Sequence, residues 1–271
     1  MELHKKNLLS IRILTILLTI SLAVVSIFGV FVEKTYEREV ASMAAQGAGQ
    51  DLVDLILVVP LMVFSMIFMQ KGSKIATFLF GGTVLYTLYS FVIYALGVHF
   101  NNLFLLYCLT LGCSFYLFTL YLLQFNKVDV KEWFTQKVPV RLTGIFFILI
   151  AAIFYMMWLK DVVPALLNDT VPESVSDYDL LVNPVHVLDI AIMLPGLVIT
   201  AVLLMKGKKL GYIFAPILLV FIIILAIALA AMIVMLKVKG VSDDISVGII
   251  FIVLALISSI FLVLFLGKLK N

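Results

Sequence analysis

Asp54-Leu55-Ile56-Leu57-Val58-Val59-Pro60, followed by Lys71-Gly72-Ser73-Lys74, decides how this chain is read. The pattern returns 135 positions later as Asp189-Ile190-Ala191-Ile192-Met193-Leu194-Pro195 and Lys206-Gly207-Lys208-Lys209. In both places an acid precedes a proline by six residues, an apolar run follows, and a Lys-Gly turn closes it. An acid and a proline within an apolar run are each costly, so their joint recurrence reads as an internal duplication.

Composition sets the solvent. Of 271 residues, 64% are hydrophobic and 13% charged, about half the charge of a soluble domain. The apolar runs reach the ~20 residues that a helix needs to cross a bilayer. Lipid offers no partner to backbone N–H and C=O groups, so such runs must be helical. The fold class expected is therefore all-α: a polytopic membrane protein of eight transmembrane helices, as two parallel four-helix repeats. Helices are expected near 9–32, 50–70, 74–98, 101–125, 140–160, 183–205, 210–236 and 246–267. Residues 1–125 form the first repeat, 126–139 an interfacial linker carrying Trp133, and 140–271 the second repeat.

Four helices per repeat return the chain to its starting side, hence the parallel arrangement. Both termini are expected in the cytoplasm. That orientation puts five of the 19 basic residues outside (Lys34, Arg38, Lys160, Lys237 and Lys239) and fourteen inside, as the positive-inside rule requires. The basic start before an apolar stretch mimics a secretory signal, but the stretch is about 20 residues long and reads as a retained helix.

Several function classes recede. Cys108 and Cys113, five residues apart in one apolar segment, point to different sides of a helix and make no disulfide framework or zinc cluster. Three histidines, His4, His99 and His186, do not suit a multi-haem carrier. No phosphate-binding glycine loop, nucleophile elbow, metalloprotease His-Glu pair or kinase signature occurs. No cofactor is expected. The expected partners are the lipid bilayer and a small solute or cation, with no nucleic acid.

A few polar residues resist explanation by apolar packing. Asp54 and Asp189 are expected about 8 Å inside their helices, at equal depth. One turn earlier the duplication sets Asp51 opposite His186. Asp51 with Asp54, and His186 with Asp189, share helix faces at a spacing of three. This set could hold a divalent cation or pass protons; equally, Asp51 and Asp54 could cap the first turn of a helix. Pro60 and Pro195 are expected to kink their helices and free the carbonyls of Ile56 and Ala191. Tyr86, Tyr89, Ser90 and Tyr94 lie on one side of the third helix, where the second half has apolar residues. Tyr107, Thr110, Ser114 and Tyr121 line one face of the fourth, with Asn101 and Asn102 at its outer end. They read either as a polar cavity or as hydrogen bonds gluing helices together. The candidate ligand- or ion-binding residues are Asp51, Asp54, His186, Asp189, Tyr86, Tyr89, Tyr94, Asn102 and Tyr107; none is assigned a catalytic role.

The runs Gly49-Gln50-Asp51-Leu52-Val53, Tyr86-Thr87-Leu88-Tyr89-Ser90, Phe100-Asn101-Asn102-Leu103-Phe104-Leu105-Leu106-Tyr107 and Asn183-Pro184-Val185-His186-Val187-Leu188-Asp189 resemble a family of uncharacterised bacterial multi-pass integral membrane proteins. The resemblance implies a bacterial inner or plasma membrane and carries no activity. Three functions suit the sequence: a small-solute or ion transporter (or its membrane subunit) with an outward-facing polar site, a sensory or accessory protein using its outer loops, and an intramembrane enzyme acting on lipid.

Overall fold

The structure is a computed structural model that describes residues 5–135 and 137–270. His4 and the chain's first and last residues lie outside the described residues. Among these, eight helices are long and apolar enough to cross a membrane. They are α1 (Lys5–Phe31), α2 (Ala41–Gln70), α3 (Lys74–Gly97), α4 (Phe104–Leu123), α5 (Val140–Leu167), α6 (Pro184–Met205), α7 (Lys209–Val238) and α8 (Ser246–Leu266). Exposed Ile16, Ile20, Leu149, Ile153, Ile249 and Leu256 belong to the apolar belt that lipid would cover. The chain is an all-helical, multi-pass membrane protein.

Two boundaries differ from expectation. α2 starts at Ala41, nine residues earlier than its sequence suggested, and α5 runs on to Leu167 with Pro164 inside it. The early start has a packing cause. Gly49 lies against the α7 backbone; a β-carbon there would stand 2.7 Å from Met232 Cα and 2.8 Å from the Ala231 carbonyl oxygen. With buried Ala45 and Ala48 it forms a small-residue stripe that lets two helix backbones touch. A run that reads as a Gly/Ala loop is thus a helix–helix seam. Asp54 accordingly sits about 20 Å along α2, not 8 Å, and Asp51 is an interior residue, so neither caps the helix. Asp189 remains about 8 Å from the start of α6, which Asn183 caps by accepting from Val185 N–H at 3.0 Å.

The prolines act differently from simple kinks. A π-helical turn spans Asp54–Val58 in α2 and another spans Asp189–Met193 in α6. In each, the residue before the proline reaches five residues back, Val59 N–H to the Asp54 carbonyl and Leu194 N–H to the Asp189 carbonyl. Pro60 and Pro195 have no N–H to give. The Leu55 and Ile190 carbonyls, five residues before the prolines in this register, therefore receive no bond from them. Tyr155 of α5 donates to the Ile190 carbonyl at 3.2 Å.

The Lys-Gly turns also match in detail. Gly72 and Gly207 both adopt the left-handed conformation, with φ of 89° and 64°. Ser73 N–H returns to Phe68 and Lys208 N–H to Leu203, the same helix-ending motif twice. Lys74 donates to the Lys270 carbonyl at 2.5 Å, and Lys209 to the Phe125 carbonyl at 2.5 Å. Each lysine thus clamps the far end of the opposite half. The linker is held too: Thr135 N–H donates to Lys268 and Lys270 N–H to Trp133, with Phe134 buried against Phe265 and Tyr212.

Within the first half α1 packs on α2 and α4, and α3 on α2 and α4; in the second, α6 packs on α5 and α7, and α7 on α8. Across the halves, α7 packs broadly on α2 and α3. The counterpart contact, α3 on α6, is thin, and a cavity opens beside it.

Candidate functional site

The cavity has a volume of about 340 Å³ and lies at the face that carries the α1–α2 loop with Glu33, Glu37 and Glu39 and the α5–α6 loop with Asp169, Glu173, Asp177 and Asp179, the acidic face. Its wall draws on α2 (Met43, Gln46, Gln50), α3 (Tyr89, Ser90, Tyr94), α5 (Phe154, Trp158), α6 (Asp189), α7 (Leu225, Leu229, Met232) and the loop residues Tyr36 and Glu39. Every long helix except α1 and α4 contributes, since Phe251 of α8 closes one side. Among the described residues no Lys, Arg or His lines it.

Asp189 is its anionic centre. Its carboxylate is 8% exposed and accepts from Tyr89 at 2.9 Å and from Trp158 Nε1 at 2.9 Å. One donor comes from each half of the chain. The π turn that begins at Asp189 shifts the residues after it relative to a regular helix, and Tyr155 stabilises the carbonyl next to it. Tyr89 is held edge-on to Phe221 of α7, with ring centres 5.3 Å apart.

Asp51 and Asp54 are placed differently. Both are 1% exposed. Asp51 accepts from Tyr36, in a short contact, and from Tyr94 at 3.1 Å. Both tyrosines also line the cavity, so Asp51 lies directly behind its wall. Gly29 of α1 makes the room: a β-carbon there would stand 1.6 Å from the Asp51 carboxylate oxygen. Tyr36 lies outside the spanning helices, and burial, then the Asp51 charge, push its phenol well above the ordinary range. It stays a donor. Asp54 lies a turn deeper on the same helix face, beside Tyr86, which also neighbours Ser90; the Asp54 oxygens and the Tyr86 hydroxyl are close but stand outside hydrogen-bonding geometry.

The remaining expected site residues separate. His186 is buried but faces Trp158, with ring centres 4.6 Å apart, and Asp161, 3.7 Å from Nε2; it does not line the cavity. Tyr107 stacks edge-on against Tyr94 at 5.4 Å, and its hydroxyl accepts from Asn101. Asn102 is exposed, in a separate small pocket with Lys34 and Arg38. Asn101, not Asn102, makes the structural contacts, bridging Thr35 and Tyr107. The polar face of α4 glues helices: Thr110 donates to Ser21 of α1, and Tyr121 donates to the Thr77 carbonyl of α3. No group of three or more His, Cys, Asp or Glu side chains able to hold a metal ion occurs among the described residues.

Four site residues were not visible in the sequence: Tyr36, Glu39, Gln50 and Trp158. Trp158 had one available signal, as one of only two tryptophans, but the residue 135 positions before it is Ala23, so the recurring pattern does not pick it out. Glu39 is held by His99, which donates its backbone N–H at 2.7 Å and sets Nδ1 3.0 Å from the carboxylate. That hydrogen bond is the main reason the His99 pKa is raised; Asp179, 3.7 Å from Nε2, adds to it. The link ties three loops at the cavity mouth.

Compared with known protein families, curated proteins and solved structures, the chain matches none.

Proposed function

We propose that the protein is a small-solute transporter, or the membrane subunit of one, that takes an organic cation into the cavity beside α3 and α6. One observation carries the reading: a buried carboxylate, Asp189, on a wall of aromatic rings and amides that bears no basic side chain. Aromatic faces attract ammonium groups by about 0.5–2 kcal/mol each, more when water is excluded. The volume falls within the ~300–1,000 Å³ of small-molecule sites. The wall supplies two carboxylates, Asp189 among aromatic neighbours and Glu39 held by His99 at the mouth, and the aromatic surroundings of Asp189 suit an organic ammonium better than a bare divalent ion.

The two π turns, the two matching Lys-Gly turns and the reciprocal Lys74 and Lys209 clamps support two parallel repeats related by an axis along the membrane normal. With the basic face in the cytoplasm of a bacterial inner or plasma membrane, the cavity opens outward. A site at a repeat interface, bounded by one broad and one thin helix contact, gives a rocking motion a place to occur. A sensory or accessory role would use the same cavity without passage of solute.

The test uses Trp158 as reporter. Trp133→Phe leaves it the sole tryptophan. Titration with tetraethylammonium should change its fluorescence saturably, and Asp189→Asn should weaken binding at least tenfold. Uptake of the labelled cation into proteoliposomes should be saturable. Binding without uptake would favour the sensor reading; no binding by any of a panel of amines would remove the cation reading.

A further inference from the structure

We infer that Asp51 and Asp54 form a proton-binding site behind the cavity, with one proton held on Asp54. The inference goes beyond the cation reading and stands without it.

The geometry sets up an unequal pair. Asp51 owns two phenolic donors, Tyr36 and Tyr94. Donors that point at a carboxylate favour its charged form. Asp54 has only the Tyr86 hydroxyl beside it, outside hydrogen-bonding geometry, and both its oxygens are buried about 20 Å along a membrane-spanning helix. A bare carboxylate there costs roughly 2.5–3.5 kcal/mol on insertion scales. Two acids three residues apart on one helix face also resist joint ionisation. The ionisable groups around Asp54 are few. Its own helix brings Asp51, and α3 brings Tyr86 and Tyr94. α1, which packs on the π turn, has only Lys5, Lys6 and Arg12, all near its distant start. Among the described residues no cationic side chain stands beside the pair, so a bound proton is what neutralises it.

A second observation points to a ligand. The Tyr86 hydroxyl, 0% exposed, lies between Asp54 and Ser90 and reaches neither within hydrogen-bonding geometry. A protonated carboxyl supplies one O–H donor and keeps acceptor capacity, which a small rotation of either side chain would bring to that hydroxyl. Among the described residues no group of three or more His, Cys, Asp or Glu side chains forms here to hold a metal ion, whereas a proton needs one oxygen.

The proton also has a route. Tyr36 and Tyr94 line the cavity and touch Asp51, which lies one turn from Asp54. A hydronium ion in the cavity gives its proton to a phenol as the phenol passes its own to Asp51, which passes it on to Asp54; the phenol is restored and neutral water remains. The same helix, α3, presents Tyr86 to Asp54, Tyr94 to Asp51 and Tyr89 to Asp189. Any turn of α3 that changes one of these contacts changes the others, which links the proton site to the cavity mechanically.

Infrared difference spectroscopy on the full chain in lipid nanodiscs, titrated between pH 5 and 9, reads this directly. The unsubstituted protein should show a protonated carboxyl stretch at neutral pH that Asp54→Asn removes and Asp189→Asn leaves in place. Tyr94→Phe should slow its exchange in heavy water at least fivefold. If the unsubstituted protein shows no such band at neutral pH, the proposal is overturned whatever the variants do. If Asp51→Asn removes the band and Asp54→Asn does not, the assignment of the proton to Asp54 is overturned. Amine binding at Trp158 is a separate measurement, so failure of one reading does not decide the other.

Discussion

Asp51 and Asp54 of α2 are shut behind packed helices, while Asp189 of α6 sits in the wall of a cavity. All three belong to helices with the same π turn and the same proline placement. The difference comes from neighbours. The α2–α7 seam closes on Gly49, where backbones touch. At the α3–α6 contact Gly97 instead meets the ring of Pro184, a side chain rather than a backbone, and Tyr89 and Trp158 reach Asp189 beside it. A motif that occurs twice therefore accompanies one sealed acid pair and one accessible acid, and local sequence around each acid does not say which is which.

The largest effect expected from breaking this contrast is at Gly29. Gly29→Ala drives a methyl into Asp51, and overpacking of this kind costs about 1–3 kcal/mol. Thermal unfolding in detergent should register it as a clear fall in melting temperature. The control is Gly196→Ala on α6, which meets open space and should cause no loss. Equal losses at both would mean that Gly29 does not make room for the acid.

The tyrosines sharpen the comparison. Tyr94→Phe leaves buried Asp51 with one donor and no water, at a cost of about 1.5–3 kcal/mol for a hydrogen bond to a charged group. Tyr89→Phe leaves Asp189 its Trp158 bond and a water-sized space beside it, so less than about 1 kcal/mol should be lost. The two melting curves should separate in that order. Tyr155→Phe removes the donor on the Ile190 carbonyl and should cost about 0.5–1.5 kcal/mol.

The smallest effect is at the cavity mouth. His99 has a raised pKa because of its hydrogen bond to Glu39. The attraction is fully present below the ordinary histidine value of 6.5 and is lost as pH rises through the raised one. The bond is partly solvent-screened, so it is worth under about 1 kcal/mol. Hydrogen exchange in the loop that carries Glu39 should quicken as pH passes that value, beyond the intrinsic increase; His99→Gln should abolish this extra step.

Much of the fold was legible because lipid leaves the chain few choices. Eight apolar runs became eight helices, with ends within a few residues at most sites. The start of α2 was not legible: Ala44-Ala45-Gln46-Gly47-Ala48-Gly49 suits a loop and a helix seam equally, and only the partner helix decides. Asp51, Asp54 and Asp189 stood out because charge in an apolar run is costly. Tyr36, Glu39 and Trp158 did not, because each reaches its partner across more than ten residues or from another helix, and neither spacing nor the duplication encodes that. His186 shared a helix face with Asp189 in sequence, yet Trp158 and Asp161 draw it away from the cavity.

The central claim is that Asp189 faces accessible space while Asp54 is sealed. Cys108 and Cys113 are free, so Cys108→Ser with Cys113→Ala gives a background without reactive thiols. In it, Asp189→Cys and Asp54→Cys are each exposed to a small, membrane-impermeant thiol reagent from the acidic face. The account predicts rapid labelling at position 189 and at least tenfold slower labelling at position 54. Equal rates, or faster labelling at 54, would contradict it.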